Sequence, residues 1–176
     1  MPILSEPHST SSFREGLWIK ILISIIVIAG LGTLSGLLTG TSVSDWYVEL
    51  NKPSFNPPNW IFGPAWLLLY VLMGISFGRI WQVLSKNRYP IVKQFARRGV
   101  VIFIIHFLFN LAWTPIFFGL KSPGGALIII IILLILIAIL IRHFFRLDRV
   151  AAFVLIPYFL WVTFATILNA AIVYLN

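Results

Sequence analysis

The chain has 176 residues, 60% of them hydrophobic and only 10% charged, with a mean hydropathy of +0.99. That composition excludes a soluble globular domain and places the protein in a lipid bilayer. The net charge of +8 does not indicate nucleic-acid binding, because the cations sit in short segments between apolar runs without any zinc, helix-turn-helix or RNA-binding signature, and the lack of cysteine excludes disulfides, thiolate nucleophiles and cysteine-ligated metal centres.

Apolar runs of the length a helix needs to cross the hydrocarbon core occur at 17–40, 60–84, 98–119, 123–144 and 150–175. They predict an all-α integral membrane protein, a single domain over 1–176 built as a bundle of five transmembrane helices. Residues 1–12 are polar and expected to be disordered. The first run is too long, and lacks the small-residue cleavage site, to be a removed signal peptide. It carries Gly30, Gly32, Gly36 and Gly40 with Ser35. The ladder of Gly32, Gly36 and Gly40 permits close approach of another backbone, in a dimer or within the chain.

The connection at 41–59 and the start of the second span read WYVELNKPSFNPPNWIFGPAW from Trp46 to Trp66. Trp46 and Trp60 read as anchors at the membrane interface, where aromatic rings concentrate. The prolines fix the backbone and lower the entropy lost when such a segment orders, which suits a lid. Pro64 falls in the first turns of the second span, where a missing N–H is tolerated.

Helical spacing then defines three stripes, because positions three, four, seven and eleven apart share a face. The second span offers Trp66, Tyr70, Met73 and Phe77, the third His106, Asn110, Trp113 and Phe117, and the fifth Tyr158, Trp161, Ala165, Leu168 and Asn169. Any one aromatic stripe reads first as helix packing. Three stripes that each carry a polar atom favour a binding cavity. Asn110 and Asn169 must face other helices or a ligand, because an unpaired amide in lipid costs several kcal/mol. The fourth span, ALIIIIILLILIAILI, shows no stripe and reads as scaffold.

Of the basic residues, Arg14, Lys20, Arg79, Lys86, Arg88, Lys93, Arg97, Arg98, Arg142, Arg146 and Arg149 belong to one side and only Lys52 and Lys121 to the other. The bias of Lys and Arg to the cytoplasmic side predicts a cytoplasmic N-terminus and an extracytoplasmic C-terminus and lid. The five acids fall outside the spans or at their ends, and Arg79 is close enough to an end to snorkel. An interior without ionisable relays and a chain without internal repeats count against a coupled pump.

The segments WYVELNKPSFNPPNWIFGPAWLLLYVLMG, FNLAWTPIFF and LIPYFLWVTFATILNAAIVYLN, in that order and at that spacing, resemble the translocator protein family, also called tryptophan-rich sensory protein or TspO/MBR. The resemblance implies a five-helix bundle, commonly a homodimer, that binds porphyrins and other planar hydrophobic ligands. The ligand-binding residues it implies are Trp66, Tyr70, Asn110, Trp113, Phe117, Tyr158, Trp161, Phe164, Ala165 and Leu168. Its proline-rich lid corresponds to 41–59, with Lys52, Pro53, Pro57 and Pro58 on the pattern. Two positions depart from the family: Phe55 stands where many members have tryptophan, and His106 where glutamine is frequent. A neutral imidazole is a possible axial haem ligand, but an isolated histidine reads first as a hydrogen-bonded core residue, so no metal site is assigned. Tyr174 is followed only by Leu175 and Asn176, so the sterol-recognition pattern lacks its basic residue.

The expected function is that of a membrane receptor or sensor for protoporphyrin IX, haem-like tetrapyrroles and similar planar ligands, held in the bundle under the first extracytoplasmic loop. No cofactor is required, because the porphyrin is itself the ligand. Paired indoles would stack on the tetrapyrrole and Lys52 would meet a propionate. Two other readings stay open: light-dependent porphyrin degradation by Trp66 and Trp161, which would be the catalytic pair, and transport of tetrapyrroles or similar lipophiles. The basic asymmetry favours a bacterial inner membrane.

Overall fold

A computed structural model describes residues 16–37 and 46–176; the expected disorder of 1–12, residues 41–45 of the connection, and Gly40 lie outside that range. The elements, in order, are α1 (Leu17–Leu37), α2 (Trp46–Glu49), α3 (Asn59–Lys86), α4 (Pro90–Thr114), a π-helical turn (Pro115–Gly119), α5 (Pro123–Phe145), α6 (Arg149–Phe153) and α7 (Ile156–Leu175). No strand occurs among the described residues. Five segments are long and apolar enough to cross a membrane: Leu17–Leu37, Asn59–Lys86, Pro90–Gly119, Pro123–Phe145 and Arg149–Leu175. The protein is an all-α, multi-pass integral membrane protein.

Prolines set the boundaries that hydropathy placed less well. Helix α4 starts at Pro90 rather than at 98, with proline in its first turn, where no N–H is required. Lys93 and Arg97 lie on that added stretch and removed it from an apolar run. At the other end Pro115 brings no N–H to the α ladder, and the chain widens into the π turn, with the Leu120 N–H donating to the Pro115 carbonyl at 2.9 Å. The fifth span is two helices. Asp148 caps α6 by accepting from the Ala151 N–H at 3.0 Å, and α7 restarts at Ile156 with Pro157 in its first turn, which cannot extend the ladder of α6.

Helix α1 packs along α3, and the backbone approach is allowed by glycines on α3. A Cβ at Gly74 would lie 2.6 Å from the Ile25 Cα, and one at Gly78 2.6 Å from the Ile21 Cα. On α1, by contrast, only Gly32 of the described ladder is crowded, against the Tyr70 ring, whereas a Cβ at Gly30 or Gly36 meets nothing within 4 Å. The small-xxx-small contact is therefore GISFG in α3.

Helix α5 corrects the reading of a helix without a stripe. Ala126, Ile130, Leu133, Ile137, Leu140 and Phe144 are all buried, at alternating steps of four and three, facing α4 and α7. Every position from 126 to 141 is apolar, so the pattern of burial leaves no trace in the pattern of hydropathy.

Arg79 does not merely snorkel. Its Nε lies 3.1 and 3.0 Å from the two carboxylate oxygens of Asp148, and its Nη2 lies 2.8 Å from Oδ2. One turn away the Ser76 hydroxyl donates to the Ala151 carbonyl at 2.7 Å, so α3 is pinned to α6 at two points. Lys20 on α1 likewise reaches α3, donating to Gln82 Oε1 at 2.7 Å and to the Ser85 hydroxyl, with its ammonium 5.7 Å from the Trp81 ring centroid.

Candidate functional site

Helices α3 and α7 touch little, and towards the lid the bundle holds a cavity of about 360 Å³. That lies within the range of pockets that hold small molecules. Seven of the ten ligand-binding residues that the resemblance implies line it: Trp66 and Tyr70 on α3, Trp113 on α4, Phe117 in the π turn, and Trp161, Ala165 and Leu168 on α7. The π turn has a local role here. It carries Phe117 and Phe118 together to the cavity, with Phe117 stacked on Trp113 at a centroid distance of 5.0 Å.

Asn110, Tyr158 and Phe164 are not among the lining residues. Tyr158 is fully buried behind Trp66, edge-on to it at 6.5 Å. Its hydroxyl accepts from Asn110 Nδ2 at 2.9 Å and lies 3.0 Å from His106 Nε2. His106 Nδ1 faces the Phe103 carbonyl at 3.2 Å and so carries the ring proton, which leaves Nε2 to accept from Tyr158. Both imidazole nitrogens are engaged, His106 is fully buried, and it does not line the cavity, so the structure uses it as a core histidine. Phe164 packs beside Trp161 at 5.8 Å and under Phe55 of the lid at 6.4 Å. Phenylalanine at 55 thus keeps an edge-on ring contact without a polar atom. Lower on the stripes, Met73 and Phe77 belong to the packed core.

Asn169 faces other helices as well as the cavity. Its Oδ1 accepts from the Trp113 indole at 3.2 Å and its Nδ2 donates to the Pro123 carbonyl at 2.9 Å. Among the described residues, two buried side-chain polar atoms have no hydrogen-bond partner, Asn110 Oδ1 and Trp161 Nε1. The second belongs to a residue that lines the cavity.

The lid closes the cavity through Tyr47, which sequence reasoning did not select. Tyr47 is buried, edge-on to Phe117 at 6.1 Å and to Phe118 at 5.6 Å, and its hydroxyl donates to Asn56 Oδ1 at 3.1 Å. Burial pushes its phenol above the ordinary value, and the Asn56 hydrogen bond offsets part of that shift. Trp46, read as an interface anchor, is half-buried against Phe117 at 5.8 Å, whereas Trp60 is 74% exposed. The Lys52 ammonium sits 4.5 Å from the Tyr47 ring centroid and donates to the Val48 carbonyl at 3.3 Å. Lys52, Pro53, Pro57 and Pro58 all stand back from the cavity wall. Pro53 accepts from the Asn56 N–H and Pro58 from the Ile61 N–H, which shapes the loop into α3. Asn51 and Asn176 exchange hydrogen bonds at 2.9 and 3.0 Å, tying the loop to the end of α7.

The lining also includes Gly32, Asn59, Phe62, Thr114, Ile130 and Ile172. Apart from Gly32, which belongs to the glycine ladder, no periodic signal marks these, because each reaches the wall through the way its helix is packed.

Residues 23–175 match the TspO/MBR family as a whole. The chain belongs to that family. Among its TspO/MBR relatives, the tryptophan-rich protein TspO of Archaeoglobus fulgidus is 36% identical over 158 residues, covering 90% of this chain and 97% of the relative. The protein of the same name from Chlorobaculum tepidum is 34% identical, covering 83% and 89%. The human translocator protein is 34% identical over 127 residues, 70% of each chain. The matched range takes in all of α3 to α7, and with them the wall of the TspO/MBR cavity.

Proposed function

We propose that this protein is a membrane receptor or sensor that binds protoporphyrin IX, haem-like tetrapyrroles and similar planar hydrophobic ligands in the cavity beneath the 41–59 connection. The observation that carries the reading is the buried Trp161 indole N–H, which has no partner among the described residues and belongs to a cavity whose wall also carries the rings of Tyr47, Phe62, Trp66, Tyr70, Trp113, Phe117 and Phe118. A flat aromatic ligand with an acceptor atom satisfies both features: its faces meet Trp66, Trp113 and Phe117, and its acceptor takes the Trp161 N–H. Lys52 is the one cation described in the lid, and its contact with the Tyr47 ring keeps it beside the closure rather than in the wall. A propionate reaching the lid would draw it from that ring.

Light-dependent degradation of the porphyrin is the second reading. It is favoured by the placement of Trp66 and Trp161 on different helices of the same wall, from which both indoles would meet one ligand. The distribution of Lys and Arg supports a cytoplasmic N-terminus in a bacterial inner membrane. The test is titration of the purified protein with protoporphyrin IX in the dark, followed by illumination. Saturable binding without spectral decay supports the receptor, decay lost in Trp66→Phe or Trp161→Phe supports degradation, and no binding defeats both.

A further inference from the structure

At the end of the bundle away from the lid, a second and open groove of about 580 Å³ runs between α5 and α7. Its walls are Ala138, Ile141, Ile156 and Phe159, and its mouth carries Arg142 and Arg146. From Arg146 to Ala138 the groove follows α5 inward for about 12 Å, at 1.5 Å per residue. It therefore begins at headgroup depth and continues along the apolar part of a membrane-spanning helix.

Among the described residues, no acid balances the charge at its mouth. Asp148, the nearest acid in sequence, is held by Arg79 and by the Ala151 N–H. Arg149 is turned to the Phe145 ring, with its guanidinium carbon 5.6 Å from the centroid. The end of α5 offers the equivalent of about half a negative charge, which two guanidiniums exceed several-fold. Arg142 and Arg146 are both exposed, and neither makes a salt bridge with a described residue.

We infer that the α5–α7 groove is a binding site for an anionic phospholipid, with the phosphate between Arg142 and Arg146 and an acyl chain along Ala138, Ile141 and Phe159. Guanidinium donors suit phosphate oxygens, and basic pockets between transmembrane helices are a known way to hold acidic headgroups. A zwitterionic lipid fits the apolar wall equally well but brings its own cation to the arginines. The groove therefore selects by headgroup charge.

The test is native mass spectrometry of the full chain in detergent, with phosphatidylglycerol and phosphatidylcholine of identical acyl chains supplied in equal amounts. Phosphatidylglycerol is expected to be retained roughly thirtyfold better, the scale set by two basic residues beside an anionic headgroup. Arg142→Gln/Arg146→Gln is expected to bring the ratio near one while helical circular dichroism and phosphatidylcholine retention stay as in the wild type. Ala138→Trp, which fills the groove and leaves the charges, is expected to lower retention of phosphatidylglycerol. Arg97→Gln/Arg98→Gln, on α4 and outside the groove, is expected to leave the ratio unchanged. Equal retention of the two lipids overturns the site, as does a preference that survives Arg142→Gln/Arg146→Gln. Displacement of phosphatidylglycerol by an equal concentration of free glycerol 3-phosphate overturns the lipid assignment in favour of a soluble phosphate.

Discussion

Trp113 on α4 donates its indole N–H to Asn169 Oδ1 on α7 at 3.2 Å, and the same asparagine donates to the Pro123 carbonyl at the start of α5. One amide thus joins three helices at the cavity wall. Asn169→Leu leaves two groups without their partner and is expected to cost about 1–3 kcal/mol. Trp113→Phe removes one of the same bonds, so the two losses in thermal unfolding should sum to more than the loss in the double variant. Strict additivity would contradict the shared bond.

The α1–α3 contact gives a sharper steric test. Gly78→Leu must push Ile21 away and is expected to cost at least about 1–3 kcal/mol, the scale of overpacking. Gly30→Leu meets open space on α1 and should leave the melting temperature nearly unchanged. The reverse order would place the close approach on the wrong helix.

Asp148 has two tasks, pairing with Arg79 and capping α6. Asp148→Ala loses both and is expected to cost about 3 kcal/mol, from a broken part-buried pair and a missing cap. Asp148→Asn can still cap and should cost less. Equal destabilisation by the two, read by thermal unfolding in detergent, would remove the cap from the account.

Tyr47 should make the lid sensitive to alkali. Its phenol is raised by burial above the ordinary 10.0. The folded state therefore holds its proton where the unfolded chain loses it, and the stability contributed is complete below about pH 10 and falls as pH rises towards the folded value. Tyr47→Phe should abolish that alkaline decline while leaving neutral-pH helicity unchanged. An identical pH profile for the variant would show that the group is not linked to the fold.

Much of this was legible from residue type and spacing. Hydropathy gave the spans, and helical spacing brought Trp66, Tyr70, Trp113, Phe117, Trp161, Ala165 and Leu168 to one wall. What escaped has physical reasons. The stripe of α5 was silent because no polar residue marks its other face. The first turns of α4 were hidden by Lys93 and Arg97, since charge near a helix end lowers hydropathy without breaking the helix. Tyr47 was passed over because it lies in a connection, where burial is decided by the fold of the loop and not by period. Asn110 shares a face with Trp113, yet its bond to Tyr158 draws it into the core beside His106. Gly74 and Gly78 sat within an aromatic stripe, whose larger side chains dominated the reading.

The central claim is that planar ligands bind in the cavity under Tyr47. Ala165 lines that cavity with a small side chain, so Ala165→Trp fills it from α7 without adding charge. The deciding measurement is a dark titration of wild type and Ala165→Trp with protoporphyrin IX, followed by absorbance and by quenching of tryptophan fluorescence. Saturable binding to the wild type, weakened at least about tenfold in a variant that keeps its helicity, a loss of about 1.4 kcal/mol, is the predicted result. Equal binding by the two proteins would contradict it.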